Sequence, residues 1–152
     1  MPWQALVPPE LGDLTDDVRR IFRELDRRGP TAVAGQCTPA LDVWETDEAV
    51  EVLMDLPGVS VDAVRVVLKG QVVLIAGEKA PDSEGRTASD FHLVERGFGR
   101  FARGIRVAAA FDGSRARASI AAGELRIVLP KIHDRRGRPQ TIAVSAGDRA
   151  RQ

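Results

Sequence analysis

The chain has 152 residues, of which 43% are apolar, and its 22 lysine and arginine residues balance 22 aspartate and glutamate residues. This length provides one modest core with extensions and argues against two full domains. The balanced charge argues against nucleic acid, an anionic membrane or an acidic substrate as the main partner.

The compartment is indicated by what the sequence lacks. The N-terminus has neither the basic region nor the apolar run of a signal peptide, and no later segment reaches the length of a membrane span. The single cysteine, Cys37, cannot form an intrachain disulfide or a cysteine metal cluster. We therefore expect a cytoplasmic protein.

The N-terminal arm, residues 1–38, contains an amphipathic pattern over residues 9–28, where apolar residues recur at steps of three and four. The pattern predicts a helix that Asp13 or Thr15 caps and that Gly29 and Pro30 end. Its apolar stripe either forms an adhesive surface or packs on the core of the domain that follows. The stripe consists of Leu11, Leu14, Val18, Ile21, Phe22 and Leu25.

The central segment, residues 39–131, changes to an alternation of apolar and polar residues that predicts β-strands. A tight hairpin is expected at Gly70, where glycine can adopt a positive φ. Several short strands separated by turn signals favour an all-β, immunoglobulin-like antiparallel sandwich. The strands are predicted over residues 41–44, 50–56, 64–68, 72–76, 91–94, 101–107, 116–120 and 125–129.

No group of residues in the sequence indicates catalysis or cofactor binding. The sequence contains no phosphate-binding glycine loop, and His92 and His133 have no metal-ligand spacing. Ser145 near His133 lies in a polar tail where a catalytic triad would not be held in place. We therefore predict no enzyme activity, no cofactor and no bound metal.

The C-terminal extension, residues 132–152, is polar and is expected to be extended and mobile. Residues 136–139, RGRP, match the core of an AT-hook that enters the minor groove of DNA. A solvated linker outweighs DNA binding, because the hook is not repeated and the net charge is zero. Two β-branched apolar residues, Ile142 and Val144, stand out in the extension.

The ordered motifs of the central segment resemble the small heat-shock proteins, the family built on the α-crystallin domain. The resemblance covers residues 39–144. It rests on PALDVWETD at residues 39–47, DLPGV at 55–59, LIAGEK at 74–79, ERGFGRF at 95–101, RGIRV at 103–107 and the stretch from Ala118 through Gly123, Glu124 and Leu125 to LPK at 129–131.

The resemblance implies an ATP-independent holdase that keeps unfolding client proteins soluble until ATP-dependent chaperones refold them. It also implies a homodimer that assembles into a higher homo-oligomer. A holdase recognises exposed apolar surface, so it needs adaptable apolar patches instead of a shaped pocket. The first predicted client-binding patch combines the arm and the helix stripe: Trp3, Leu6, Leu11, Leu14, Val18, Ile21, Phe22 and Leu25.

The resemblance further implies a dimer of the bacterial and plant type, in which a short strand crosses to the first strand of the neighbouring subunit. Such exchange covers a strand edge that would otherwise be adhesive. Arg106 corresponds best to the family's interface arginine, although an outward-facing surface arginine is the alternative. The predicted exchange residues are Leu41, Val43, Trp44, Phe91, His92, Leu93, Val94 and Arg106.

The extension resembles the family's I-x-I/V tail motif, which docks in a neighbouring subunit's edge groove. Ile142 and Val144 point the same way in an extended chain and so form a two-pronged plug. The plug could occupy a neighbour's groove, the chain's own groove or none. The groove, which is also the second predicted client patch, is lined by Val64, Val66, Leu68, Ala116, Ala118 and Ile120.

The chain departs from the family pattern at two positions. At Ala108 the family usually has a proline, so the sequence does not define where the strand predicted over residues 101–107 ends. At Glu124 the family usually has an apolar residue. The rival interpretation is a co-chaperone or adaptor with a related CS-domain sandwich that binds one dedicated partner. The tail plug and the motif at residues 95–101 favour the holdase.

Overall fold

A computed structural model of the chain describes residues 14–27, 36–81, 91–133, 139, 141–144 and 146. The described residues form one α-helix, seven β-strands and two short 3-10 turns, at Val61–Ala63 and Gly113–Arg115. The helix and strands are α1 (Thr15–Asp26), β1 (Leu41–Glu45), β2 (Ala49–Asp55), β3 (Val64–Lys69), β4 (Val72–Lys79), β5 (Gly99–Arg106), β6 (Arg117–Ala121) and β7 (Glu124–Pro130).

The strands form two antiparallel sheets, one with the order β1-β2-β7-β6 and the other with the order β3-β4-β5. The two inner faces pack on each other around a core of apolar side chains. This arrangement confirms the predicted all-β antiparallel sandwich. β1 and β6 are the edges of the four-stranded sheet, and β3 and β5 are the edges of the other.

Two glycines have conformations or surroundings that a larger residue would not tolerate. Gly70 has a φ of 59° in the β3–β4 hairpin, which confirms the predicted turn. Gly77 is closely surrounded, because a Cβ built on it would lie 2.4 Å from the carbonyl oxygen of Ala63 and 2.8 Å from Cζ of Phe101. The absence of a side chain at Gly77 therefore lets β4 approach the turn before β3.

The N-terminal helix is shorter than predicted and packs on the sandwich. α1 begins after Leu14, whose apolar side chain cannot cap a helix, and Thr15 is the first residue of the helix, so the predicted cap at Thr15 is wrong. The alternative cap, Asp13, and the predicted end at Gly29 and Pro30 lie outside the described residues. Of the two alternatives for the apolar stripe, the structure has the packed one, against the outer face of the β3-β4-β5 sheet. Within the described ranges, no helix is both long and apolar enough to cross a membrane.

One predicted strand has a different form in the single chain. Residues 91–94, predicted as a strand, form no strand here. A strand needs a hydrogen-bonded neighbour, and the predicted neighbour of these residues belongs to another subunit. In the extension, residues 141–144 are exposed and irregular, and the RGRP motif lies outside the described residues apart from Pro139.

Candidate functional site

The first candidate surface is the contact between α1 and the outer face of the β3-β4-β5 sheet. All five described residues of the helix stripe are buried in this contact. They are Leu14, Val18, Ile21, Phe22 and Leu25. They pack on a sheet face formed by Val67, Val72, Leu74, Ala76 and Ala102. The predicted client-binding stripe is therefore covered while α1 is docked, and the three other predicted client residues, Trp3, Leu6 and Leu11, lie outside the described residues.

β4 makes this arrangement possible because it is buried on both sides. Val73 and Ile75 point into the sandwich core, whereas Val72, Leu74 and Ala76 point outward under α1. Successive side chains of a strand point to opposite faces, so a continuous apolar run needs cover on both. The apolar sequence of β4 is thus explained by the helix that covers it.

Ion pairs connect the helix to the edges of this sheet face. Lys69 Nζ lies 3.3 Å from Asp17 Oδ2, and Arg65 Nε lies 3.6 Å from Glu24 Oε2. On the opposite edge strand, Arg100 pairs with Asp26. The basic residues are on the edge strands β3 and β5 and the acidic residues are on α1, so the contact is apolar at its centre and charged at its rim.

Arg100 contacts both the helix and a buried acid of the sheet. Its guanidinium carbon lies 4.9 Å from the centre of the Phe22 ring, within the range of a cation–π contact. Its Nε lies 3.7 Å from Oε2 of Glu78, a carboxylate that is almost fully buried. Within the described residues, the other oxygen of Glu78 has no hydrogen-bond partner. Arg100 thereby connects a buried acid of β4 with an aromatic ring and an acid of α1.

The second candidate surface is the predicted edge groove. β3 and β6 are edge strands of opposite sheets, so both present unpaired backbone groups at the border of the sandwich. A Cβ built on Gly113, in the turn just before β6, would lie 3.5 Å from Cδ1 of Leu68, so this turn closes on the end of β3. Val64 is buried, Ala118 is exposed, and the remaining predicted groove residues are half-buried: Val66, Leu68, Ala116 and Ile120.

Of the three alternatives for the tail, the chain's own groove is not occupied in this single chain. Ile142 and Val144 are 85% and 99% exposed. Lys131, the residue just before the extension, is held at the end of β1, where its Nζ lies 2.5 Å from Glu45 Oε1 and donates a hydrogen bond to the carbonyl oxygen of Thr46 at 3.1 Å. The two prongs are therefore accessible to a groove on another subunit.

The predicted strand-exchange residues lie on two separate exposed segments. β1 pairs only with β2 among the described strands, so its outer edge is open. Val43 alternates in phase with half-buried Leu41 and yet is 46% exposed, so apolar surface is uncovered at this edge. Trp44 points to the opposite face, where the Arg126 guanidinium lies 5.7 Å from its ring. The segment predicted to cross to a neighbouring subunit is exposed at every position: Phe91, His92, Leu93 and Val94.

Arg106 lies at the end of β5, in register with Val72, and its side chain is exposed. This position fits both interpretations of the residue, since an exposed guanidinium is free to meet a carboxylate of another subunit. The strand ends here as Val107 turns back into the core and its N–H donates to the carbonyl oxygen of Gln71 at 2.8 Å. The role of Arg106 therefore stays a prediction.

Cys37 is half-buried and its thiol donates to the carbonyl oxygen of Gly99 at 3.3 Å. Burial raises the pKa of this thiol, and nearby Lys79 opposes the effect. A raised pKa lowers the thiolate fraction at neutral pH, and the thiolate is the reactive form. The environment of Cys37 is thus that of a packed side chain.

Sequence reasoning missed the basic rim of the helix contact, Arg65, Lys69 and Arg100. Each was an ordinary surface charge by pattern, and Arg100 was noted only as part of a family motif. A signal was present in the unbroken apolar run of β4, which requires a covering element on the outer face. The acidic residues of the amphipathic helix would then have pointed to basic partners on the strands beside β4.

Comparison with known proteins agrees with the fold and with the resemblance stated above. The model of the Hsp20/alpha crystallin family matches residues 42–145. The chain is 34% identical to a 21.9 kDa heat shock protein of Oryza sativa, over 97% of this chain and 82% of the rice protein. It is 32% identical to heat shock protein 16 of Schizosaccharomyces pombe, over 82% of this chain and 85% of the yeast protein.

A bacterial relative and two solved structures extend this comparison. The chain is 37% identical to spore protein SP21 of Stigmatella aurantiaca, over 70% of this chain and 60% of that protein. Heat shock protein 16.0 of S. pombe superposes with a TM-score of 0.60 at 30% identity, covering 72% of this chain and all of that one. A small heat-shock protein of Xylella fastidiosa, which has a distinct high order structure, gives a TM-score of 0.60 at 26% identity, covering 75% of this chain and all of that one.

Proposed function

This chain belongs to the Hsp20/alpha crystallin family, whose members are stress chaperones, and on this premise we propose that it is an ATP-independent holdase of the cytoplasm. It binds unfolding proteins, prevents their aggregation and passes them to ATP-dependent chaperones. The domain at residues 39–131 forms the dimer, the arm at residues 1–38 contributes client contacts, and the extension at residues 132–152 connects subunits.

The observation that carries this proposal is the distribution of apolar surface. Large apolar side chains remain exposed on residues 91–94 and on the tail, notably Phe91, Leu93, Ile142 and Val144. The apolar helix contact and the half-buried apolar residues of the edge strands β3 and β6 lie on the same sandwich. Adaptable apolar surfaces of this kind fit the recognition of unfolded chains, which present apolar groups in no fixed arrangement.

Assembly conceals these surfaces at rest. Each prong of the tail stabilises a docked state by at most about 1.5–3 kcal/mol, before the cost of ordering the tail is subtracted. One plug is therefore weak and reversible, whereas several plugs in one oligomer act together through their effective concentration. A reversible assembly of this kind releases apolar surface when it opens.

The experiment that tests the proposal measures light scattering from a thermally aggregating model protein, with and without this chain and without ATP. We expect scattering to be suppressed when chain and model protein are equimolar. An unrelated folded protein of similar size is the control for crowding. Aggregation that proceeds unchanged at equimolar chain contradicts the proposal, as does suppression that depends on added ATP.

A further inference from the structure

The outer face of the β3-β4-β5 sheet has the properties of a helix-binding site. One face of an antiparallel sheet in a sandwich ordinarily meets water and carries polar residues. Here the central residues of the outer face are apolar and buried: Val72, Leu74, Ala76 and Ala102. Small side chains at Ala76 and Ala102 leave room for a bulky partner, and α1 supplies Phe22 to this face.

The rim of the face selects for charge. Lys69 and Arg65 on β3 and Arg100 on β5 each pair with an acid of α1. Arg100 also stacks on Phe22, four residues before its acidic partner Asp26. Residues four apart lie on the same side of a helix. The arrangement therefore fits an amphipathic helix in which an aromatic residue is followed one turn later by an acid.

α1 is held on this face by packing rather than by its own helical stability. It has 12 residues and no side-chain cap at its N-terminus. Helices shorter than about 12–15 residues are marginal in water when isolated. Its ion pairs lie at the surface, where each contributes little and is screened by salt. Another helix with the same pattern can therefore take its place.

We propose that this outer face is an acceptor for amphipathic helical segments with acidic flanks in unfolding proteins, and that α1 occupies it as an internal competitor. The inference deepens the proposed holdase function and rests on it. While α1 is docked, the helix stripe and the acceptor face conceal each other. When α1 detaches, both surfaces become available at once, and clients whose exposed segments resemble α1 compete best for the face.

A labelled peptide with the sequence of residues 14–27, LTDDVRRIFRELDR, is the probe, and its binding to the full chain is measured by fluorescence anisotropy. We expect weak binding to the wild-type chain, because α1 competes. Phe22→Ala in the full chain should strengthen binding at least tenfold, since it loosens α1 and leaves the face intact. Adding Leu74→Ser, which alters the face but not the sandwich core, should remove that gain.

Two controls locate the binding and test its charge dependence. Ile120→Ser, on the edge groove, should leave peptide affinity within twofold in the Phe22→Ala background. In the peptide, Asp26→Asn should weaken binding severalfold, whereas Asp16→Asn should not, because Asp16 is 86% exposed and lies 3.7 Å from Arg19 of the same helix. Circular dichroism of each variant confirms that the sandwich is folded.

The inference is overturned if Phe22→Ala leaves peptide affinity unchanged, or if Ile120→Ser abolishes binding while Leu74→Ser does not. It is also overturned if the two peptide substitutions have equal effects. These outcomes are separate from a failure of the proposed function. A chain that suppresses aggregation but binds no α1 peptide is a holdase without this acceptor face, and one that suppresses no aggregation contradicts the holdase proposal itself.

Discussion

Replacing both prongs of the tail, Ile142→Gly with Val144→Gly, should shift the assembly toward dimers. The two side chains are 85% and 99% exposed in the single chain, so their removal costs the folded subunit little, within about 0.5 kcal/mol. In a groove, each prong contributes at most about 1.5–3 kcal/mol. Losing both removes up to about 3–6 kcal/mol for each docked tail, or roughly a hundredfold to ten-thousandfold in its docking constant.

Sedimentation velocity of the wild-type and variant chains at several concentrations measures this shift. Ala143→Gly is the control, because it adds the backbone freedom of a glycine between the prongs without removing either of them. We expect the control to sediment like the wild type and the double variant to sediment as a dimer with an unchanged melting temperature. A double variant of unchanged size refutes the docking role, and a control that dissociates equally assigns the effect to tail flexibility.

Three further predictions concern local structure. Gly77→Ala should lower the free energy of unfolding in urea by about 1–3 kcal/mol or more, because a Cβ would overlap the backbone. Gly97→Ala, which has open space around it, should leave this free energy unchanged. Equal urea midpoints for the two variants would contradict the prediction. Because burial raises the pKa of Cys37, iodoacetamide should modify this thiol more slowly in the folded chain than in the urea-unfolded chain. Equal rates would show that burial does not protect the thiol. The Ser114 hydroxyl donates to Asp112 Oδ1 at 2.6 Å and lowers the pKa of that carboxyl. The hydrogen bond therefore stabilises the folded chain above the ordinary aspartate pKa of about 4, and this stabilisation is lost as the pH falls through the lowered pKa of the folded state. Ser114→Ala should raise the Asp112 pKa in an NMR titration, and an unchanged curve would refute the hydrogen bond.

The strands could be predicted because their signal is local. An alternation of apolar and polar residues marks a half-buried strand wherever it occurs, and Gly70 marked the turn between two of them. β2 and β7 follow this rule, since Val52 and Met54 are fully buried beside less buried neighbours. The turn signals between several short strands supplied the expectation of a sandwich, and the family motifs agreed with it.

The position of α1 could not be predicted from periodicity, because its partners are distant in sequence. Asp17 pairs with Lys69, 52 positions away, and Asp26 pairs with Arg100, 74 positions away. An amphipathic stripe shows that a helix needs cover but does not show what covers it. Residues 91–94 present a related difficulty, since an apolar run whose strand partner belongs to another subunit has no regular structure in one chain.

β3 connects the two concealed surfaces, because its alternate side chains serve different ones. Val64, Val66 and Leu68 point to the sandwich core and the edge groove, whereas Arg65, Val67 and Lys69 point to α1. Any tail or client that pairs with this edge strand therefore fixes the backbone that also carries two of the three residues of the basic rim. Conversely, substitutions at the outward positions alter the helix contact without changing a groove side chain. Because the side chains of β3 alternate, substitutions can alter the helix contact or the edge groove separately. The two surfaces nevertheless remain coupled, since both depend on the backbone of β3.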